Sequence, residues 1–417
     1  MPRLTHDKIT WLTYAQLGLW GFFLYGFGPV VPLLRDEQGT SAAVAGLHST
    51  GIAAGSLLGG ALFAPVARRF GRGPAIWFGL TGVAAGVAAL GLLHPLPATI
   101  AAVAMIATFG MMVISGVSVV LTAHHGPAAP AALTEANAAC AGMGILAPLV
   151  IGASVGAGLG WRPVMAVEVG LIALVALAAL TFRVRLPHTA TAAAAADEAV
   201  GVTPSAVAEP AATPSVAADR LPRAYWIAWV LMAVTGSIEV CLSLWTADVL
   251  RTHAGLSAGG ASAAIAAIVC GMFVGRLVGG RFALRWPPVP LLLAALTVSL
   301  AGFAIFWSAP VGWLAVTGLV VLGLGNALHY PLAISIALAV SGPAADKAAG
   351  WSAYSMGVGF GIAPVVLGWV ADGIGPHLAF LLLPGFIAAA LLLAVRLGRA
   401  LRAPRPADDR APVAVGA

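Results

Sequence analysis

One acidic residue lies inside an apolar stretch: in TGSIEVCLSLW, residues 235–245, Glu239 is the charged side chain. A carboxylate in hydrocarbon is costly unless it is protonated or paired, so a residue of this kind is a functional candidate. Thr235, Glu239, Ser243 and Thr246 are spaced by four, four and three residues, which places them on one helical face. Desolvation favours the neutral acid, so Glu239 is our candidate for proton coupling.

Three other apolar stretches also carry polar or aromatic side chains, and the four groups would line a mixed polar and aromatic cavity if the fold turned them all inward. Taken singly, Ser and Thr in membrane helices usually bond to their own backbone. The members of the three stripes are Gln16, Trp20, Phe23 and Tyr25; Thr108, Met111, Ser115, Ser118 and Thr122; and Asn326, His329 and Tyr330. His329 is a second candidate for the proton path, because a rise of ~1.5 Å per residue puts it within about 6 Å of the depth of Glu239.

The elements that position these residues are membrane helices, since 60% of the 417 residues are hydrophobic and 9% are charged. Stretches long enough to cross a ~30 Å core, and too continuously apolar for barrel strands, predict an all-α integral membrane protein with about twelve spans. These lie near 11–33, 43–66, 74–93, 98–121, 133–156, 163–182, 224–246, 258–280, 288–308, 313–340, 348–370 and 376–396.

The basic residues predict the orientation. With both termini in the cytoplasm, the external loops contain only Arg35, Arg162 and Arg251, and the remaining loop and terminal Lys and Arg are cytoplasmic. The net charge of +6 therefore reflects topology and does not indicate a nucleic-acid partner. Preference for Arg over Lys amid abundant Ala is typical of a GC-rich bacterial genome, so we expect the bacterial cytoplasmic (inner) membrane.

The chain divides into two copies. Residues 187–223 are rich in Ala, Pro, Thr and Ser without periodicity, which predicts a flexible cytoplasmic linker between six-helix bundles at 1–186 and 224–398, followed by a tail at 399–417. GIAAGSLLGG (51–60) recurs as GMFVGRLVGG (271–280), displaced by 220 positions, and APLVIG (147–152) recurs as APVVLG (363–368), displaced by 216. The glycine stripes allow close helix packing, either within one half or across the boundary between halves.

Two six-helix repeats, a cytoplasmic linker and a basic loop after the second span resemble the major facilitator superfamily of secondary transporters. In the loop APVARRFGRGP (64–74), Arg69, Gly71 and Arg72 match the family signature, whereas Ala64 and Arg68 replace its glycine and aspartate. The resemblance implies two pseudo-repeats that rock about a central cavity lined by spans one, four, seven and ten. It also implies a small-molecule substrate, protons as coupling ions and a protein that works as a monomer in the lipid bilayer.

The resemblance also suggests a cytoplasmic gate. Arg276 lies about 13 Å too near the cytoplasmic edge to neutralise Glu239. We therefore expect it, or Arg281, to pair with Glu135 across the boundary between halves. Arg68 or Arg72 would pair with Asp346 in the equivalent position. Alternatively, Glu135 caps a helix start after Thr134.

Proton-coupled export of a small amphiphilic compound is our first hypothesis, because one buried acid can hold either a proton or a cationic substrate. The alternatives are proton-coupled uptake of a sugar or organic acid, which would need more polar groups or a midplane arginine, and a uniporter in which Glu239 is structural. Glu168, in an outer span, is expected to make a structural bond. We expect no enzymatic activity, cofactor or metal, since the sequence has no phosphate loop and His124–His125 lack acidic or cysteine companions.

The topology can be tested with reporter tags. Because the number of spans is even, tags fused to the amino and carboxyl ends should both report the cytoplasm. A periplasmic signal at the carboxyl end would contradict the twelve-span topology.

Overall fold

The structure is a computed structural model that describes residues 4–186, 221–283, 285–341 and 345–402. Within these ranges there are 12 helices long and apolar enough to cross a membrane, and no strand, which confirms the predicted fold class. Numbered α1 to α12, with α10 and α12 each in two segments, they are Lys8–Gln38, Ala42–Phe70, Arg72–Leu92, Leu96–His125, Ala129–Gly156, Arg162–Thr181, Arg223–Thr252, Ala258–Ala283, Pro288–Ser308, Gly312–Asn326 with His329–Ser341, Ala345–Ile374, and Pro376–Ala379 with Leu382–Arg402.

Successive helices alternate in direction, so their connections lie on two faces of the molecule. We call the face that contains Lys8, Leu186 and Leu221 the linker face and the opposite one the distal face. Residues 187–220 of the predicted linker and 403–417 of the predicted tail lie outside the described residues. The last helix continues to Arg402, past the predicted boundary at 398, and the Arg402 Nε bonds the Gly398 carbonyl at 3.1 Å. Basic residues at a helix carboxyl end are favoured by its dipole, which explains the extension.

The two halves repeat one packing pattern. In the first half α1 packs on α5, α2 on α4, and α3 on α4 and α6. In the second half α7 packs on α11, α8 on α10, and α9 on α10 and α12, each pair six helices further along the chain. The halves meet through α2 with α11, α5 with α8, and α1 with α7, and we call this boundary the seam.

The glycine stripes of the first repeated motif pack inside each half. Gly51, Gly55 and Gly59 of α2 lie against the backbone carbonyls of Ile100, Ala104 and Thr108 on α4. Gly271 and Gly275 of α8 lie in the same way against Val320 and Leu324 on α10. The sequence allowed this stripe to pack either within a half or across the boundary between halves. The structure shows that it packs within a half.

The second repeated motif serves the seam. Gly152 of α5 packs directly on the backbone of Gly259 in α8, and Gly368 of α11 packs on that of Ala42 and Ala43 in α2. Both contacts lie toward the distal face. The two repeats thus have different roles: one fixes the helices inside a half, and the other brings the halves together.

A break in α10 was not predicted. The helix stops at Asn326 and resumes at His329, and the amides of Ala327 and Leu328 bond the carbonyls of Gly323 and Gly325 at 3.0 and 3.3 Å. Both carbonyls belong to glycines that pack closely on neighbouring backbones, at Ile268 and Ala295. The break falls among the polar residues of the predicted tenth-span stripe.

Packing of α2 on α4 gives a direct test of the glycine stripe. A Cβ added at Gly55 would overlap the Ala104 carbonyl oxygen, whereas one added at Gly60 has no atom within 4 Å. We expect Gly55→Val to cost at least ~1–3 kcal/mol through overpacking and to lower the melting temperature in detergent. Gly60→Val is the matched control and should leave that temperature almost unchanged. Equal effects of the two substitutions would contradict the packing described.

Candidate transport site

Two side chains of opposite charge lie near each other beside the seam. Glu239 projects from α7 and Arg276 from α8, and their charges interact. Arg276 also lies near Tyr25 of α1, which belongs to the other half, and the two side chains interact. All three residues keep part of their surface accessible.

Two further residues complete this group. Tyr330 of α10 lies near Glu239, and Cys140 of α5 lies near Arg276. We call Tyr25, Cys140, Glu239, Arg276 and Tyr330 the seam cluster. Within the described ranges, no group donates a hydrogen bond to Glu239. Glu239 and Arg276 also form no ion pair with an N–O distance of 4.0 Å or less. Both charged side chains therefore have unused hydrogen-bonding capacity.

The position of Arg276 corrects the depth estimate made from the sequence. Counting residues along the helices placed Arg276 about 13 Å below Glu239. Side chains of a helix tilt toward its amino end, however, and α7 and α8 run in opposite directions. Glu239 therefore leans toward the linker face and Arg276 toward the distal face, so their charged groups approach each other. The long arginine side chain covers much of the remaining distance.

The other polar residues of α10 face its neighbours in the second half. His329 is buried and bonds the Ser299 hydroxyl of α9 at 3.1 Å. Asn326 is buried and its amide donates to the Met272 sulfur of α8 at 3.8 Å. A permanent bond between Asn326 and Glu239, the structural alternative for the glutamate, is not present among the described contacts. Neither Asn326 nor His329 joins the seam cluster.

The α4 stripe faces α2 rather than a central space at two of its predicted positions. The Thr108 hydroxyl bonds its own helix at Ala104, and Gly59 of α2 packs on the Thr108 carbonyl and the Met111 Cβ. Thr108 also lines a surface groove together with Leu58, which is 54% exposed. Ser115, on the same face of α4, is partly exposed. At Thr108 and Met111 this face therefore packs on α2 of the same half, and a cavity role of the remaining stripe stays a prediction.

Of the residues singled out from the sequence, three in the first half are buried and, among the described residues, lack hydrogen-bond partners for their polar groups: Gln16, Trp20 and Glu168. The Trp20 ring lies directly on Gly110 of α4, so it faces the interior of the first half. The structural hydrogen bond expected for Glu168 is not found among the described residues.

Two predicted cavity residues of α7 differ in their surroundings. Thr235 is buried and donates to its own helix at the Met232 carbonyl, at 3.0 Å. Ser243 is partly exposed and lies at the seam, where Gly28 of α1 packs against its backbone and hydroxyl. The absence of a side chain at Gly28 is what permits this close approach of α1 and α7.

The predicted pair of Glu135 and Arg276 is not present. Glu135 accepts hydrogen bonds from the His6 ring at 2.6 Å and the Tyr14 hydroxyl at 3.2 Å, both in the amino-terminal part of the first half. Arg276 is turned to the seam cluster instead. Glu135 thus ties the start of α1 to α5.

A second contact holds the same corner at the linker face. Asp7, the N-cap of α1, accepts bonds from the Thr10 amide and hydroxyl at 2.9 and 2.7 Å, and from His124 at 2.7 Å. Burial opposes ionisation of Asp7, but these bonds outweigh it and lower its pKa from 3.8 to about 2. A lowered pKa means that the contact stabilises the fold above pH 3.8 and that this contribution is lost as the pH falls toward 2.

The other predicted gate residues are placed only in part. Arg68 is exposed at the linker face, and Arg72 is partly exposed beside Ser118 and Thr122. The side chains of Arg281 and Asp346 lie outside what the structure describes, so their pairing stays a prediction.

The distal face contains a latch that the sequence did not reveal. Arg35 of α1 donates to both oxygens of Asp248 on α7, at 2.6 and 3.0 Å, and Arg251 of α7 donates to Asp36 of α1 at 2.8 Å. These crossing ion pairs join the halves. One signal was available, because Arg35 and Arg251 occupy equivalent repeat positions, 216 residues apart. Their acidic partners do not occupy equivalent positions in the two halves, so the sequence alone did not indicate the ion pairs.

Three more hydrogen bonds across the seam lie toward the distal face. The Asp372 carboxylate of α11 accepts from the first amides of α2, Ala42 and Ala43, at 2.7 and 3.0 Å. Negative charge at a helix amino end is favoured by its unpaired amides and dipole. The Thr50 hydroxyl donates to the Gly361 carbonyl at 2.6 Å. Together with the ion pairs, these bonds hold the distal side of the seam closed.

Twelve membrane helices in two matching halves, with charged groups at the seam, define a multi-pass membrane protein of the secondary-transporter type. The sequence model of the Major Facilitator Superfamily matches residues 16–345 and 242–415. The chain belongs to this superfamily, whose members are transporters and in general not enzymes.

Individual relatives are more distant. The glucose/galactose transporter of Brucella abortus biovar 1 (strain 9-941) is 31% identical over 141 residues, which is 31% of each chain. The D-xylose–proton symporter structure has a TM-score of 0.72 at 16% identity, over 93% of this chain and 96% of that one. A bacterial homolog of the human lysosomal transporter Spinster, inward-facing and unoccupied, has 0.71 at 16%, over 94% and 98%. At these identities the structural matches show the fold alone.

Unequal burial of the two ion pairs predicts unequal mutational effects. Asp248 is 1% exposed and loses its partner in Arg35→Gln, whereas Asp36 is 41% exposed and keeps Arg35 in Arg251→Gln. We expect a loss of ~3–5 kcal/mol for Arg35→Gln and at most about 1 kcal/mol for Arg251→Gln, measured by unfolding in detergent. Adding Asp248→Asn to Arg35→Gln should recover part of the loss. Equal losses, or no recovery, would show that the pair does not hold the distal face.

Proposed function

We propose that this protein is a proton-coupled transporter of a small polar organic compound, with Glu239 as the proton carrier. The observation that carries the proposal is the seam cluster, in which an acid with no hydrogen-bond partner among the described residues faces an arginine that reaches across to the other half. Uptake with a proton fits this arrangement better than export of a cationic amphiphile, because Arg276 would repel a cation at Glu239.

Arg276 links the charge of Glu239 to a contact between the two halves. When Glu239 is ionised, its charge attracts the guanidinium; when it is protonated, that attraction is lost and Arg276 is free to engage Tyr25 or a bound compound more fully. One proton would then alter a contact between α8 and α1. Rearrangement of that contact is a local change that can bias which side of the seam opens.

The relatives are compatible with this function. The xylose symporter shares the fold, and the Brucella glucose/galactose transporter shares part of the sequence. We further propose the predicted setting: a bacterial inner membrane, with both termini cytoplasmic and a single chain as the working unit. A single chain suffices because the seam cluster draws on both of its halves.

The test uses purified protein in liposomes that contain a pH-sensitive dye. D-xylose, D-glucose, D-galactose, lactate and glucuronate are added outside one at a time, and proton entry is recorded. We expect at least one compound to drive proton entry with the wild type. Because a glutamine cannot ionise, Glu239→Gln should reduce proton entry by a factor of ~10 or more. The variant should still exchange labelled compound across the membrane.

Glu168→Gln is the matched control: it removes another buried glutamate, away from the seam cluster, and should retain proton entry. Proton entry that survives Glu239→Gln would remove Glu239 from the mechanism. A wild type that moves these compounds without protons would favour a uniporter.

A further inference from the structure

The charges of the seam cluster restrict the kind of compound that can be moved, if the proposed proton coupling holds. The cluster contains one permanent cation, Arg276, and one group that gains and loses a proton, Glu239. Its remaining members, Tyr25, Tyr330 and Cys140, are neutral in their ordinary protonation states. With Glu239 ionised, the empty site therefore has no net charge.

Arg276 has donors to spare. A guanidinium carries five N–H donors in a planar fork that matches a carboxylate. Among the described residues it lies near Tyr25 and Glu239, and it has no ion pair with Glu239 within 4.0 Å. A partly exposed arginine at the seam with a free fork is suited to bind an anionic group in a bidentate manner.

Protonation changes the charge balance. Once Glu239 takes up a proton, Arg276 is left as an uncompensated cation in the membrane interior, where an unpaired charge is costly. A neutral sugar would leave that charge in place during transport. A compound with a single carboxylate would restore a net charge of zero. The site would then have the same net charge when it is loaded as when it is empty.

We propose that the transported compound is a monocarboxylate, bound by Arg276 with the help of Tyr25 and moved together with one proton on Glu239. The proton binds the Glu239 carboxylate on the side from which the compound enters and leaves to water on the other side. No covalent bond is formed or broken. A neutral sugar is the competing outcome.

Matched compounds separate these outcomes: lactate with lactamide, glucuronate with glucose, and benzoate with benzamide. Each pair differs chiefly in the carboxylate. We expect at least one carboxylate to raise the melting temperature of the purified protein and to compete for transport in liposomes, while its neutral partner does neither. Binding of that carboxylate should weaken by ~30-fold or more in Arg276→Gln, less in Arg276→Lys, and detectably in Tyr25→Phe.

Arg399→Gln, at an exposed position near the end of α12, is the control and should bind like the wild type. If Arg276→Gln fails to fold, Arg276→Lys and Tyr25→Phe provide the same comparison. If no carboxylate is bound, or if neutral partners bind equally well, the proposal is wrong.

A second measurement tests the charge balance. Transport of one carboxylate with one proton moves no net charge, so a potassium diffusion potential across the liposome membrane should leave the rate unchanged. A neutral compound moved with a proton and accelerated by that potential would overturn the monocarboxylate while leaving the proton coupling intact. Carboxylate transport without proton movement would instead contradict the proposed function.

Discussion

The cost of placing charge inside a membrane governs the interpretation of this protein. Glu239 and Arg276 are both held in membrane helices, and each limits the cost of the other through their electrostatic interaction. Because they do not form a contact ion pair among the described residues, the compensation is incomplete and sensitive to whatever enters between them. A proton on Glu239, or an anion on Arg276, alters that balance, which is why this pair rather than the more numerous Ser and Thr residues forms the basis of the proposed mechanism.

The rest of the fold supplies the two halves that this pair can influence. The Gly55 stripe and its repeat pack the helices of each half closely, so each half can move as a body. The seam is made differently: toward the distal face it is closed by glycine contacts, by the Arg35–Asp248 and Arg251–Asp36 pairs and by Asp372 at the start of α2. Opening the distal face requires these polar contacts to break. The seam cluster includes residues of both halves, so such a rearrangement would change the contacts within it.

The sequence predicted the architecture because hydrophobic length and internal repetition are properties of a single chain. It also assigned Glu239, Tyr25 and Tyr330 to one cavity, since helical faces can be inferred from spacing, and this assignment stays a prediction. It misplaced Arg276, because residue counting ignores the direction in which a long side chain leans. It did not show that Gly59 of α2 packs against Thr108 and Met111, because a polar stripe does not tell which neighbour it faces. The break after Asn326 and the Arg35–Asp248 pair depend on contacts between distant segments.

Infrared difference spectroscopy of the purified protein tests the central claim, that Glu239 takes up a proton during transport. Acidification, or addition of a transported compound, should produce a carboxylic-acid carbonyl band that is absent in Glu239→Gln and retained in Glu168→Gln. A band unaffected by Glu239→Gln, or one that disappears only with Glu168→Gln, would show that the proton is carried elsewhere and would contradict the account.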